Sequence, residues 1–189
     1  YMLSVYGDYD FGHLYMNGML SYGYNDIYTS KTSAAGKRTA NYHANHYAAR
    51  AEIGYAFMTG KTRLIPKIMG HYSYYSPEAY TEKGPGAQTI AGDSMKSLEA
   101  GAGLDMQWLI GNRKHSYWIP ELRLGYRYDF AAESVVSTTQ FAEGGSIFEI
   151  QGADPAAQTF DLGMGMTYFS DEAWELLFNY DFSYKEDYM

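Results

Sequence analysis

Ser97-Leu98-Glu99-Ala100-Gly101-Ala102-Gly103-Leu104-Asp105-Met106-Gln107-Trp108 is two sequences interleaved. One set of alternate positions reads Leu98, Ala100, Ala102, Leu104, Met106, Trp108; the other reads Ser97, Glu99, Gly101, Gly103, Asp105, Gln107. A period of two places each set on its own face of an extended strand. After a short connection the pattern returns from Trp118 to Phe130, with Trp118, Pro120, Leu122, Leu124, Tyr126, Tyr128 and Phe130 opposing Ile119, Glu121, Arg123, Gly125, Arg127 and Asp129. Both runs exceed the five or six residues of an ordinary globular strand. They are long enough to cross the hydrocarbon layer as tilted strands, which takes about nine to eleven residues.

Working outward, the same split recurs at Gly12 to Tyr24, His46 to Phe57, Thr62 to Tyr75, Thr159 to Tyr168 and Trp174 to Tyr184, with Tyr1 to Gly7 as a weaker first member. The count is roughly eight strands. Pro66 stands on the apolar face of its strand and should weaken the ladder there, because it has no N–H to donate. The connections alternate in length. Short ones fall at Asp8 to Phe11, Met58 to Lys61, Gly111 to Ser116 and Ser170 to Glu172; long ones run Thr29 to Tyr42, Ser76 to Lys96 and Ala131 to Ala157, the last with a small strand expected at Ser146 to Gln151. Short turns at one end and long loops at the other are the arrangement of bacterial outer-membrane barrels, periplasmic and extracellular respectively.

Composition agrees and removes several classes of function. The 189 residues suit one domain, and the 21 tyrosines and 20 glycines favour strands and turns over helices. No apolar run reaches the length of a transmembrane helix, and mean hydropathy is −0.40. A barrel remains open, because only alternate residues face lipid. The absence of cysteine removes disulfides, thiol nucleophiles and thiolate metal sites. A net charge of −8 argues against nucleic acid, whose phosphates call for clustered Lys and Arg. The N-terminal run Tyr1-Met2-Leu3-Ser4-Val5 has no basic segment or cleavage site of a leader.

A soluble sandwich or lipocalin-like barrel also alternates, with its apolar face turned inward. Three features oppose that reading. Charges of both signs stand in mid-strand on the polar face, as a wet lumen allows: Arg50, Glu52, Arg63, Lys67, Glu99, Asp105, Glu121, Arg123, Arg127 and Asp161. Aromatics gather near the ends of the apolar faces, Tyr22, Tyr24, Tyr72, Tyr74, Tyr126, Tyr128 and Tyr180 toward the long loops and Trp108, Trp118 and Trp174 toward the short turns. Two such belts suit the two membrane interfaces. The third feature is strand length.

Chemical motifs are sparse. Gly101-x-Gly103 and Gly163-x-Gly165 lack the third glycine and following helix of a dinucleotide loop, so they read as small residues on a strand face. His43 and His46 would point to opposite sides of a strand, which argues against a zinc site. No nucleophile elbow or HExxH sequence is present. Glu99, Asp105, Glu121 and Asp161 could serve as acids or bases toward something threaded through the pore, but such charges more commonly solvate a barrel interior. No enzyme, cofactor or metal is expected.

Several motifs, in order, resemble those of autotransporter β-domains. Asp10-Phe11-Gly12-His13-Leu14-Tyr15-Met16-Asn17-Gly18 and Leu20-Ser21-Tyr22-Gly23-Tyr24-Asn25-Asp26 are similar to one strand of that family, and Ala49-Arg50-Ala51-Glu52-Ile53-Gly54-Tyr55 to the next. Leu64-Ile65-Pro66, Tyr80-Thr81-Glu82-Lys83-Gly84, Ser97 to Leu104, Ile119 to Arg123, Asp161 to Met166 and Asn179-Tyr180-Asp181 continue the series. The resemblance implies a type V secretion translocator: an all-β, antiparallel up-and-down transmembrane barrel of twelve strands, of which this chain, residues 1–189, would supply about the fourth to the eleventh. It implies as partners outer-membrane lipid, the barrel's own passenger and linker helix, and the barrel-insertion machinery. The closing strand would lie beyond Tyr184-Lys185-Glu186-Asp187-Tyr188-Met189. The alternatives are a self-contained eight-stranded outer-membrane barrel, adhesive or structural, and a soluble glycan-binding β-sandwich.

Overall fold

A computed structural model describes residues 1–33, 36–112, 116–171 and 174–185. Fourteen strands and no helix occur among them: β1 (Met2–Asp10), β2 (Leu14–Ser33), β3 (Gly36–Tyr55), β4 (Phe57–Thr59), β5 (Thr62–Pro77), β6 (Tyr80–Thr81), β7 (Gln88–Ile90), β8 (Met95–Trp108), β9 (Ile110–Gly111), β10 (Tyr117–Asp129), β11 (Val136–Phe141), β12 (Phe148–Gln151), β13 (Gln158–Phe169) and β14 (Glu175–Lys185). Eight of these form one antiparallel meander in the order β1-β2-β3-β5-β8-β10-β13-β14, with β4 continuing β3 along β5 and β9 continuing β8 along β10. The meander curls into a half-barrel. All eight expected strands are present.

Both short extensions have the same cause. Ala56 donates to His13 O, and the parity of that ladder turns Tyr55 toward β5, where its partner would be Pro66. Pro66 has no N–H, and the β3 ladder stops there and resumes at Phe57↔Leu64. In the same way Phe130 donates to Leu98 O, parity turns Trp108 toward β10, and its partner would be Pro120; pairing lapses and resumes at Trp118↔Ile110. Each proline therefore removes one ladder bond without shifting the register.

The first long connection departs from expectation. Thr29 to Tyr42 is not a loop: the β2–β3 ladder runs unbroken from Leu14↔Tyr55 to Ser33↔Gly36, two strands of 20 residues each. At about 3.3 Å per residue such strands are longer than a bilayer crossing needs, which leaves their distal third beyond the length that hydrocarbon would cover. There both faces can be polar, and the apolar alternation used to find strands has no reason to persist. The other two long connections build a second sheet, in the order β12-β11-β7-β6. β12 answers the small strand expected at Ser146 to Gln151, whereas β6, β7 and β11 were not anticipated. Parts of the turns at Gly111 to Ser116 and Ser170 to Glu172, and the residues after Lys185, lie outside the described residues.

Candidate functional site

Register decides which side chains meet. Along one face of the meander, cross-strand partners run Asn17↔Glu52↔Met69↔Gly101↔Arg127↔Thr159 and Met19↔Arg50↔His71↔Glu99↔Asp129. The ten residues expected to face a lumen, Arg50, Glu52, Arg63, Lys67, Glu99, Asp105, Glu121, Arg123, Arg127 and Asp161, all fall on this face. Together they line one continuous wall. The curl cups this side around an open cavity of about 480 Å³ bordered by Arg50, Lys67, Glu99, Arg123, Arg127 and Asp161.

Three cations organise the wall. Lys67 Nζ donates to Asp105 Oδ2 at 2.8 Å and lies 3.9 Å from Glu52, a carboxylate only 7% exposed. Glu52 also accepts from the Tyr15 hydroxyl at 2.9 Å and has Arg50 at 3.5 Å. Arg123 holds Glu121 with one arm and Asp181 with the other at 2.8 Å, while Gln107 links Arg63 to Glu121. Arg127 makes a two-point contact with Asp161, at 2.8 and 3.1 Å, and a third bond to Glu99 at 2.8 Å. Ser183 donates to the same Asp161, and His71 lies 4.0 Å from Glu99. Asp105 faces Arg123 in register, but the guanidinium turns away to Glu121 and Asp181.

Glycines make this layer possible. Lys67, Arg127 and Arg123 each stand opposite a glycine, Gly103, Gly101 and Gly163 in turn, and lie flat over it. A Cβ on Gly101 would come 2.7 Å from Arg127 Cγ, and one on Gly163 would come 2.6 Å from both Arg123 Nε and Asp181 Oδ1. The Gly-x-Gly runs thus serve as seats for guanidinium and ammonium stems. Sequence reading named neither this pairing nor Tyr15, Gln107, Asp181 and Ser183 as participants. The available signal was parity: all four share the polar face of their strands.

On the opposite face the chain turns its apolar side chains outward. On the inner strands Ile68 is 61% exposed and Leu124 is 42% exposed, while on the charged face the carboxylates of Glu52, Glu99 and Asp105 are largely buried. That inverts a soluble sandwich, whose apolar face would be covered. Ring contacts form two rows. Toward the long connections Tyr22, Tyr47 and Tyr74 follow one another at 5.2 and 6.5 Å, and Tyr126 meets Phe160 at 5.1 Å. Toward the short turns Trp118, Tyr168 and Trp174 do the same at 4.4 and 5.1 Å. Tyr72 and Tyr128 are exposed near the first row, and Trp108 ends β8 near the second. Tyr24 stacks on His43 instead. Tyr180, expected toward the long loops, sits in register with Met164 and Leu122, away from both rows. Its distance from the chain's last residues did not reveal its place in the ladder.

Above the meander, Glu82 joins the second sheet to the long hairpin. Its carboxylate is almost wholly buried and takes Arg38 at 3.1 Å and Lys31 at 3.4 Å, beside the Thr39↔Lys83 bridge. Tyr80 stacks on Tyr42 at 4.2 Å, and burial, then Tyr42 and Glu82, push its hydroxyl above the usual phenol range. Among the described residues no group of His, Asp and Glu is arranged to hold a metal ion.

A family model described as Autotransporter beta-domain matches residues 1–181. No curated protein matches the chain.

Proposed function

Because the chain belongs to the autotransporter β-domain family, outer-membrane barrels that anchor and translocate, we propose that it lets its own N-terminal passenger reach the cell surface. The observation that carries this reading is the inverted sheet: an exposed apolar exterior and a concave, ion-paired inner wall. Hydrocarbon satisfies the first face, and a hydrated lumen satisfies the second.

The family is one of translocator barrels, not of catalysts, and implies an outer membrane and an associated passenger. On our reading the whole chain is one barrel domain without enzymatic activity, and Glu99, Asp105, Glu121 and Asp161 keep the wall charged and wet. Each already has a cationic or amide partner. The ten wall residues would line the pore and meet a linker helix. The two rows of rings would lie at the membrane interfaces, with the long connections outside the cell. β1 and β14 are unpaired edges among the described residues. Further strands would close them during assembly by the insertion machinery, since an open edge in lipid leaves backbone groups unsatisfied.

The test is protease shaving of intact cells expressing the full reading frame, with an epitope in the segment upstream of Tyr1. External protease should remove the epitope while the barrel stays in the outer-membrane fraction. An epitope that resists external protease, and is cut only after the outer membrane is breached, would overturn passenger export and favour a self-contained barrel.

A further inference from the structure

The two edges of the loop-borne sheet differ. β6 is covered: Lys83, two residues past its end, exchanges backbone bonds with Thr39 of the long hairpin, and Arg38 and Lys31 close on Glu82. β12 is the terminal strand on the other side, with β11 as its sole partner among the described residues.

Parity fixes what β12 offers. Gly152 N–H donates to Val135 O, so in this antiparallel ladder Ile150↔Ser137 and Phe148↔Thr139 are the hydrogen-bonded pairs. The N–H and C=O groups of Glu149 and Gln151 therefore point away from β11, toward the free edge. Edge strands are commonly blunted by a charge, above all lysine, by proline or by a bulge. Phe148-Glu149-Ile150-Gln151 has no lysine, proline or bulge, and its one charge, on Glu149, repels an acidic strand but not a cationic one.

Its side chains divide as well. Phe148 and Ile150 share a face with Phe141, whose ring lies 5.7 Å from that of Phe148, and Ile150 is 54% exposed. Glu149 points to the other face. The connection from Ala131 to Ala157 carries Glu133, Glu143, Glu149 and Asp154, and no Lys or Arg.

We propose that β12 is a docking edge for an extended, cationic peptide segment of another protein, which adds to this sheet as a fifth strand. Its apolar residues would lie beside Phe148 and Ile150, and its Lys or Arg beside Glu149. A second copy of the chain is disfavoured, because like pairing would bring four carboxylates against four. The inference stands apart from passenger export.

The protein extracted from membranes in a neutral detergent is titrated with a fluorescent seven-residue peptide of alternating Val and Lys, and with its Val and Glu counterpart. Saturable binding of the Val-Lys peptide alone is expected. Gln151→Pro removes one outward N–H and leaves the β11 ladder intact, and should weaken binding at least tenfold. Glu149→Lys should weaken it similarly and favour the Val-Glu peptide. A Val-Lys peptide methylated on alternate backbone nitrogens makes the same test on unaltered protein, should Gln151→Pro fail to fold. Equal binding of both peptides, or of methylated and unmethylated ones, would overturn the proposal. So would disulfide-linked pairs formed through Gln151→Cys in place of peptide binding.

Discussion

The meander and the loop-borne sheet are both antiparallel, but they are built on opposite terms. In the meander each strand pairs with its neighbours in the chain, from β1-β2 through β13-β14, and side chains alternate between an apolar exterior and a charged interior. The loop-borne sheet takes β6 and β7 from one connection and β11 and β12 from another. Polar contacts run across it: Thr139 is buried, Asp93 accepts from the Thr138 N–H at 2.8 Å, and Thr81 on the β6 edge bonds Thr89. Hydrocarbon forces the first pattern, because a lipid-facing side chain must be apolar and every backbone group must be paired. Water forces nothing comparable, so the second sheet leaves little trace in the sequence.

The largest effect should follow from putting a charge on the outer face. Leu104 pairs with Pro66 and Leu124, on the face that carries Leu98, Met106 and Tyr126. Leu104→Arg should cost about 2–4 kcal/mol of folding into bilayers if this position lies near the midplane. The measurement is the folded fraction against denaturant in phospholipid vesicles. No loss would mean that Leu104 does not face lipid. Cysteines at 104 and 105 sharpen the point: the first should be reached by a lipid-borne quencher, the second by a small water-soluble reagent. Exchanged labelling would move every wall assignment on β8 to the other face.

A smaller loss is expected inside. Among the described residues Arg127 is the sole cation bonded to both Glu99 and Asp161, and Arg127→Met leaves both carboxylates on the wall without it. We expect a loss of roughly 1–3 kcal/mol, the scale for hydrogen bonds to charged groups. Arg127→Lys should recover only part of it, because an ammonium cannot reproduce the two-point contact with Asp161. Full recovery by lysine would show that charge alone matters.

Gly163→Ala should cost less, about 1 kcal/mol, by lifting Arg123 from its seat and lengthening its bond to Asp181. Combining it with Asp181→Ala checks the cause. If the glycine acts by placing Arg123 against Asp181, the two losses should not add; additive losses would assign Gly163 a purely backbone role.

These positions also show what the sequence disclosed. Alternation from Ser97 to Trp108 and from Trp118 to Phe130 was enough to place both strands, their pairing and their charged face, since lipid and lumen impose opposite chemistry on neighbouring residues. It could not choose among partners: Asp105 faces Arg123 in register, yet Lys67 holds it. Thr29 to Tyr42 was misread because Ser30-Lys31-Thr32-Ser33 has no apolar face to display. Val136 to Phe141 escaped notice for the same reason, and one of its two partners, β7, comes from a distant part of the chain.

The smallest effect on barrel stability should come from Glu82, although it is among the most buried carboxylates in the molecule. Glu82→Gln removes the charge that Arg38 and Lys31 share, and the half-buried Arg38 is left beside a weaker acceptor. If the loop-borne sheet opens as its own unit, the loss stays local. Amide hydrogens of Thr39 and Lys83, which bond each other's carbonyls, should then exchange faster in Glu82→Gln. Those of β8 and β10 should be unchanged, as should the denaturant midpoint in vesicles. Leu104→Arg supplies the converse, lowering the midpoint without first releasing Thr39 and Lys83. A fall in the midpoint of Glu82→Gln comparable to that of Arg127→Met would join the two sheets into one cooperative unit. The long hairpin would then be a structural extension of the barrel wall, and not a platform that happens to be attached to it.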